Sequence, residues 1–198
     1  NSNQILDSMP GLLSLAAAGQ MELGNAADIT TNIMSSFGIE ASKTARVADV
    51  LAKASASANT DVSQMGEAIK YLGPVANSLG WELEESAAAV MSLSNAGIQG
   101  GMAGKAFASS LSRLTKEGGA ARDIIEELGI QLFDAEDNLK SLPEVIAELE
   151  KGLEGMSAKQ RAATLTTLFG TEAYKHWAIL LEEGSEALAS NTEMLKNA

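Results

Sequence analysis

The sequence predicts an all-α protein, a compact multi-helix domain of short helices and helical hairpins, and three observations carry that expectation. First, a helical pattern ends four times in glycine followed by an apolar residue, at Gly38-Ile39, Gly80-Trp81, Gly97-Ile98 and Gly129-Ile130. That pair suits a Schellman ending, with glycine left-handed after the last turn and the next side chain folded back on it. Second, apolar residues recur at three- and four-residue spacing between those stops. Third, apolar residues are 45% of the 198 but aromatics only 4%. The core is therefore expected to be Ala, Leu, Ile, Val and Met on closely packed helices.

The stretch Gly80 to Leu114 reads as the organising element, two amphipathic helices joined by a glycine-rich hinge. In the first, Leu83, Ala87, Val90, Met91 and Ser94 keep one small-residue stripe on one face, and Glu82, Glu84 and Glu85 occupy the first turn. Negative charge is favoured there by unpaired backbone N–H groups. The second carries Ala103, Phe107, Leu111 and Leu114, and between them Gly97, Gly100, Gly101 and Gly104 form the candidate hinge, permitting reversal and close backbone approach.

In chain order, Asp7 or Ser8 is expected to cap a first helix with Pro10 in its opening turn and Gly19 at its end. A second helix runs from Asn25 to Phe37, and a third from Ser42 to about Ser57 on Val47, Val50, Leu51 and Ala54. Thr60 is expected to cap a fourth, with Asp61 in its first turn and Pro74 breaking or kinking it. Leu13 to Ile39, Leu51 to Trp81 and Met91 to Leu114 resemble three copies of one helix-turn-helix unit, at an offset of about 38 to 42 residues, although shared composition also accounts for the similarity.

The character changes after Gly118-Gly119, which places a boundary between an N-terminal helical subdomain, 1–117, and a C-terminal one, 118–198. A helix from Ala120 to Leu128 precedes a stretch in which Ile130 to Phe133 and Asn138 to Lys140 can pair as a small two-strand β-hairpin around Asp134 to Asp137. Pro143 opens a helix to Leu153, Ser157 caps another to Phe169-Gly170, Thr171 caps a third through Leu181, and Ser185 starts the last.

Several function classes are disfavoured. The net charge of −12 opposes a surface for phosphate backbones, which needs clustered Lys and Arg. Without cysteine there is no thiolate chemistry or cysteine metal site, and the redox compartment stays open. The apolar run Pro10 to Ala18 is far below the ~20 residues of a membrane span. A start at Asn1 rather than methionine suggests a segment of something longer.

Candidate sites are few. Gly100 to Ala106 resembles a phosphate loop but places Gln99 where the first glycine belongs and Ala106 after Lys105. His176, the sole histidine, reads as a partly exposed helical residue beside Trp177. Asp134, Glu136 and Asp137 lack the alternating ligands of a calcium loop. Trp81 and Trp177 read as core anchors at helix ends, with an interface role as the alternative. No catalytic residue, cofactor site or metal site is assigned.

Five segments carry a family resemblance: ARVADVLAKAS (Ala45 to Ser55), NTDVSQMGEAIKYLGPVANSLG (Asn59 to Gly80), ESAAAVMSLSNAGIQGGMAGKAF (Glu85 to Phe107), LGIQLFDAEDN (Leu128 to Asn138) and LFGTEA (Leu168 to Ala173). Together they resemble the core region of phage tail tape measure proteins, of the type first described for lactococcal phage tails. The resemblance implies a segment of a long protein that fills the tail tube, sets tail length during assembly and leaves ahead of DNA. It implies tail assembly chaperones, the tail tube protein and the baseplate or tail-tip proteins as partners, self-association, and residence in the virion tail lumen after assembly in the host cytoplasm. No sequence-specific nucleic-acid binding is expected, membrane contact only during ejection, and no catalytic residues carry over. A cell-wall hydrolase and a membrane-active module stand as rivals. The first would need converging carboxylates, alone or with His176; the second rests on Leu12 to Ala18 and Ala87 to Met91. With 18 glycines and 3 prolines, the segment is expected to be compact rather than the rod-like ruler itself.

Overall fold

The computed structural model describes residues 2–198, the side chain of Gln4 apart. Among them are eleven α-helices and no sheet. The first six are α1 (Ser2–Ala18), α2 (Leu23–Phe37), α3 (Thr44–Ser57), α4 (Val62–Ser78), α5 (Leu83–Asn95) and α6 (Gly100–Leu114), with a 3-10 turn at Ala41–Lys43 before α3. The rest are α7 (Ala120–Glu127), α8 (Leu142–Gly152), α9 (Ala158–Phe169), α10 (Tyr174–Glu183) and α11 (Ser185–Lys196).

All four glycine stops form as expected. Gly38, Gly80, Gly97 and Gly129 have φ of 63°, 93°, 89° and 65°. The following N–H reaches back to the carbonyl five residues earlier in each case: Ile39 to Met34 at 2.8 Å, Trp81 to Ala76 and Ile98 to Leu93 at 2.9 Å, Ile130 to Ile125 at 3.0 Å. A fifth stop of the same kind ends α1, where Met21 N–H donates to Ala16 O at 2.9 Å and the left-handed residue is Gln20, φ 50°. Gly19, expected to end this helix, instead lies against Val62, whose Cβ is 3.2 Å from where a glycine-19 Cβ would stand.

Three hairpins, α1–α2, α3–α4 and α5–α6, stack side by side, so that α1 packs on α3 and α3 on α5, while α2 packs on α4 and α4 on α6. Glycines make these approaches possible. A Cβ on Gly104 of α6 would stand 2.2 Å from the Ala68 carbonyl oxygen of α4, and one on Gly11 of α1 would stand 2.7 Å from the Ala45 Cα of α3. On α4, Gly66 makes room for the Ile29 side chain and Gly73 for those of Ser36 and Phe37 of α2. Where no Cβ intervenes, backbones meet at a distance that larger residues forbid.

The helix α5 lies at the centre. It touches α3, α4, α6, α10 and α11, and eleven of its thirteen residues are buried, so the single stripe expected from the sequence becomes burial on every side. Ala87, Ala88, Ala89, Ser86, Ser92 and Ser94 make this possible. Small side chains let neighbours approach from all directions, and Ser86 and Ser92 return their hydroxyls to the Glu82 and Ala88 carbonyls of their own helix.

Pro143 opens α8 as expected, but Pro10 and Pro74 behave differently from the expectation. α1 begins well before Pro10 and α4 continues through Pro74 to Ser78. Each of these two is exposed, as are Leu6 and Lys70 four residues earlier, so the carbonyl that loses its partner sits on the solvent side, where water takes its place. In α4 the burial of eight residues from Val62 to Ala76 outweighs the local loss. The cap of α4 is Asp61, whose carboxylate accepts from Gln64 N–H at 2.8 Å, not Thr60. At α10 the first turn starts at Tyr174 after Ala173, so Thr171 is not its cap. Ser157 does cap α9, accepting from Gln160 N–H at 3.2 Å.

The expected hairpin near 130–140 is reduced to one antiparallel bridge, Phe133 to Leu139, with no extended strand. Asp134 N–H donates to Asn138 O and Lys140 N–H to Leu132 O, both at 2.9 Å. The ladder ends there because Lys140 O accepts from Trp81 Nε1–H at 2.8 Å and Ser141 already caps α8, while Leu139 N–H, which points away from Phe133, donates to Leu79 O at 2.9 Å. This segment thereby straps the α4–α5 corner. Buried apolar residues from Leu15 to Leu195 form one core cluster, with members on both sides of Gly118-Gly119.

Candidate interaction surfaces

Both tryptophans lie inside the fold. Trp81 is 2% and Trp177 0% exposed, and with two phenylalanines they form a continuous aromatic spine. Phe107 sits 6.0 Å from Trp81 and 5.0 Å from Trp177, and Phe169 stacks on Trp177 at 4.1 Å and 9°. Trp177 Nε1–H donates to Ser110 Oγ at 2.8 Å, and that hydroxyl donates onward to Phe107 O. The spine joins α6, α9 and α10 to the corner before α5.

The four glycines of the expected hinge divide into two kinds. Gly97 and Gly100 have positive φ, 89° and 56°, and make the reversal. Gly101 and Gly104 lie inside α6, and Gly104 is the point of closest contact with α4. The reversal also runs beside an open cleft of about 640 Å³ between α6 and α10, lined by Met102, Lys105, Glu172, Lys175 and His176.

His176 is buried, not partly exposed as the sequence suggests, with 2% of its surface open. The pattern that hides this is its position one residue before Trp177, on the side of α10 that turns toward Met102 of α6. Its Nε2 lies 3.2 Å from Met102 O, so this nitrogen carries the proton and donates. Burial pushes the imidazole below its ordinary pKa, only partly countered by that carbonyl. The ring is neutral at pH 7, and its Nδ1 has no partner. Lys105 turns away to cover the Tyr71 ring, Nζ 4.5 Å from the centroid.

Glu85 is a buried carboxylate that the sequence places only in a helix's first turn. It accepts from Glu82 N–H at 3.4 Å and from Leu142 N–H at 3.2 Å, joining the starts of α5 and α8. Burial raises its pKa above the ordinary glutamate value, and the two backbone donors oppose that rise. Nearby, Arg46 pairs with Glu84 at 2.7 Å and donates to the Leu195 and Ala198 carbonyls at 3.0 and 3.2 Å, fastening the end of α11 to α3 and α5. Among the described residues no group of three or more His, Asp or Glu is placed to hold a metal ion, and no helix is long and apolar enough to cross a membrane.

Helix α1 differs from every other element. Ile5, Leu6 and Leu13 are 59%, 69% and 52% exposed, three of the five large hydrophobic side chains that are exposed among the described residues. Leu6, Pro10, Leu13 and Ala17 share one outer face at spacings of four, three and four. Beside it a groove of about 400 Å³ runs between α1, α2 and the 3-10 turn, lined by Ile5, Leu12, Met34, Ile39 and Thr44.

The sequence pattern of the family described as phage-related minor tail protein matches residues 1–170. The chain belongs to that family. Among its relatives, the tape measure protein of Pneumococcus phage Dp-1 is 38% identical over 196 residues, 99% of this chain and 17% of that protein. The probable tape measure protein of Escherichia phage P2 is 32% identical over 178 residues, 89% of this chain and 22% of that protein. A third, the probable tape measure protein of a Halomonas phage, phiHAP-1, is 26% identical over 164 residues, 80% of this chain and 19% of that protein. The chain thus spans about a fifth of the length of these relatives. No solved structure matches it. Membership of the minor tail protein family gives the chain a structural role in a phage tail.

Proposed function

We propose that this chain is a folded docking and delivery module of a tape measure protein, acting through helix packing and protein interfaces rather than by catalysis. The observation that carries the reading is helix length. The longest helices, α1 and α4, have 17 residues, about 25 Å at 1.5 Å per residue, and Schellman stops fold the chain back after each of them. A ruler reads length from continuous helix, and this segment is built to reverse direction. In the proposal the parent protein sets tail length, and this module contacts tail assembly chaperones, the tail tube protein or the baseplate or tail-tip proteins and associates with other copies in the tail tube lumen. The likeness to the lactococcal type rests on the sequence motifs and is part of the same proposal. So are a division of labour between 1–117 and 118–198, a hinge at Gly97 and Gly100, and an interface role for Trp81 or Trp177 in a state where the domain opens.

The test is an in-frame deletion of the segment from the parent gene, followed by electron microscopy of tails. Tails of unchanged length with failed assembly or infection are expected. Shortening by about 1.5 Å per deleted residue would show that the segment is extended in the virion and would overturn the reading.

A further inference from the structure

We propose that His176 is a proton-sensitive latch: neutral, it holds the start of α10 against α6, and once protonated it moves into the cleft beside Glu172 and frees that turn. The latch belongs to the fold and holds whatever the module docks to.

Few contacts close the joint. α10 packs chiefly on α9 and α5, and toward α6 it faces the open cleft of about 640 Å³. Two side-chain hydrogen bonds cross to α6, from His176 Nε2–H to Met102 O at 3.2 Å and from Trp177 Nε1–H to Ser110 Oγ at 2.8 Å, and both start from the first turn of α10. Just before that turn Gly170 has φ 91° and ψ 163°, a conformation held essentially by glycine. A glycine joint lets the segment after it reorient at little cost.

The site supports only the neutral ring. Nε2–H has its acceptor, while Nδ1 is shut from water and has no partner. A proton added there makes a charged donor with no acceptor, which a buried site tolerates far less than an unmet acceptor. Lys175 opposes a positive ring and Glu172 favours it. From α6, Lys105 lines the cleft with its ammonium drawn over Tyr71, and no charged group of α5, α8, α9 or α11, the other helices packed on α10, bears on the ring. Burial outweighs Glu172 and the Met102 carbonyl, so the enclosed ring stays below its ordinary pKa. In the cleft the balance reverses. Water solvates the imidazolium, and exposed Glu172 stands four residues before it, in a turn already closed by Tyr174 N–H to Gly170 O at 3.0 Å, the spacing at which side chains pair. The freed turn also uncovers Trp177 beside it.

His176 is the sole histidine, so one imidazole signal in the NMR spectrum of the purified chain follows the ring, and amide hydrogen exchange, expressed as protection factors, reads the opening. A ring harder to protonate enclosed than free stabilises the closed joint fully above about pH 6.5, and this is lost as pH falls through the depressed enclosed value. From pH 7.5 to 5 the wild type is expected to lose protection across residues 171–181 by about tenfold per pH unit below about 6.5, while α3 keeps its own. His176→Gln retains an amide donor for Met102 O and takes up no proton, so its protection stays level over the same range; Glu85 and all other titrating groups are common to both chains. Glu172→Gln, at an exposed position, is expected to move the loss to lower pH, and a loss that does not move overturns the placing of the charged ring beside Glu172. Level protection in the wild type, an equal loss in His176→Gln, or a loss shared equally by α3 overturns the latch. So does a wild-type loss that sets in only after the imidazole signal shows the ring charged, a comparison that needs no variant.

Discussion

Replacing Gly104 by alanine tests the claim that backbone proximity, not side-chain interlocking, sets the seam between α4 and α6. The new Cβ would stand 2.2 Å from Ala68 O and 2.9 Å from the Ala68 carbonyl carbon and Cα. These are backbone atoms of a helix packed against α2, α3, α5 and α6, so no rotamer change relieves the clash, and the helices must part by about 1 Å to reach ordinary contact. Overpacking of this kind costs about 1–3 kcal/mol, with an obstruction in backbone favouring the upper part of that range. Alanine recovers about 1 kcal/mol of helix propensity, which leaves a net loss of about 2 kcal/mol. Gly24→Ala supplies the control, because Gly24 lies in α2 with open space around its Cβ position. There the same chemical change is expected to stabilise by about 0.4–1 kcal/mol. Urea denaturation followed by far-ultraviolet circular dichroism reads both as midpoint shifts at constant m. In heat, the Gly104 variant is expected to melt about 4–8 °C lower, at 2–4 °C per kcal/mol for a chain of this size. If Gly104→Ala is as stable as the wild type, the close seam does not exist in solution and the stacking argument falls with it.

Two further outcomes are expected. The raised pKa of Glu85 means that the folded state holds the proton more tightly than the unfolded chain, so this group's stability is fully present below about pH 4.5 and is lost as pH rises through the raised folded value. Glu85→Gln keeps an acceptor for one backbone donor and removes the buried charge, and denaturation at pH 4 to 8 should show a flatter profile and no loss at pH 7. A variant clearly less stable than wild type at pH 7 would contradict the desolvation argument. Ser110→Ala strands the Trp177 N–H in a fully buried site, at a cost of about 1–3 kcal/mol. A loss under ~0.5 kcal/mol in the same urea assay would mean that Trp177 finds another acceptor.

Much of the architecture was legible because its punctuation is local. A glycine followed by an apolar residue needs only its own turn to specify a Schellman ending, and Gly38, Gly80, Gly97 and Gly129 all obey. The errors occur where tertiary contacts decide. Nothing near Pro10 or Pro74 in sequence tells that each faces solvent, which is what lets α1 and α4 pass through them. Gly19 looks like a stop, but Val62, 43 positions on, requires a glycine there and Gln20 takes the left-handed turn. Likewise Trp81 takes the Lys140 carbonyl from which a longer 130–140 hairpin would continue. The candidate surfaces were least legible. Nothing in the sequence around Ile5, Leu6 and Leu13 tells that the stacking order leaves them outside, whereas His176 looks exposed and is enclosed by Met102.

The central position of α5 also bears on how such a chain survives its own synthesis. The helix is made well before one of its covers, α11. Until then, part of α5 is without its partner. Much of the surface left waiting is alanine and serine, with the Ser86 and Ser92 hydroxyls already bound within the helix, and it offers other nascent chains far less to stick to than a leucine-rich helix would. A crowded centre assembled from small residues is thus also a quiet one while it stands open.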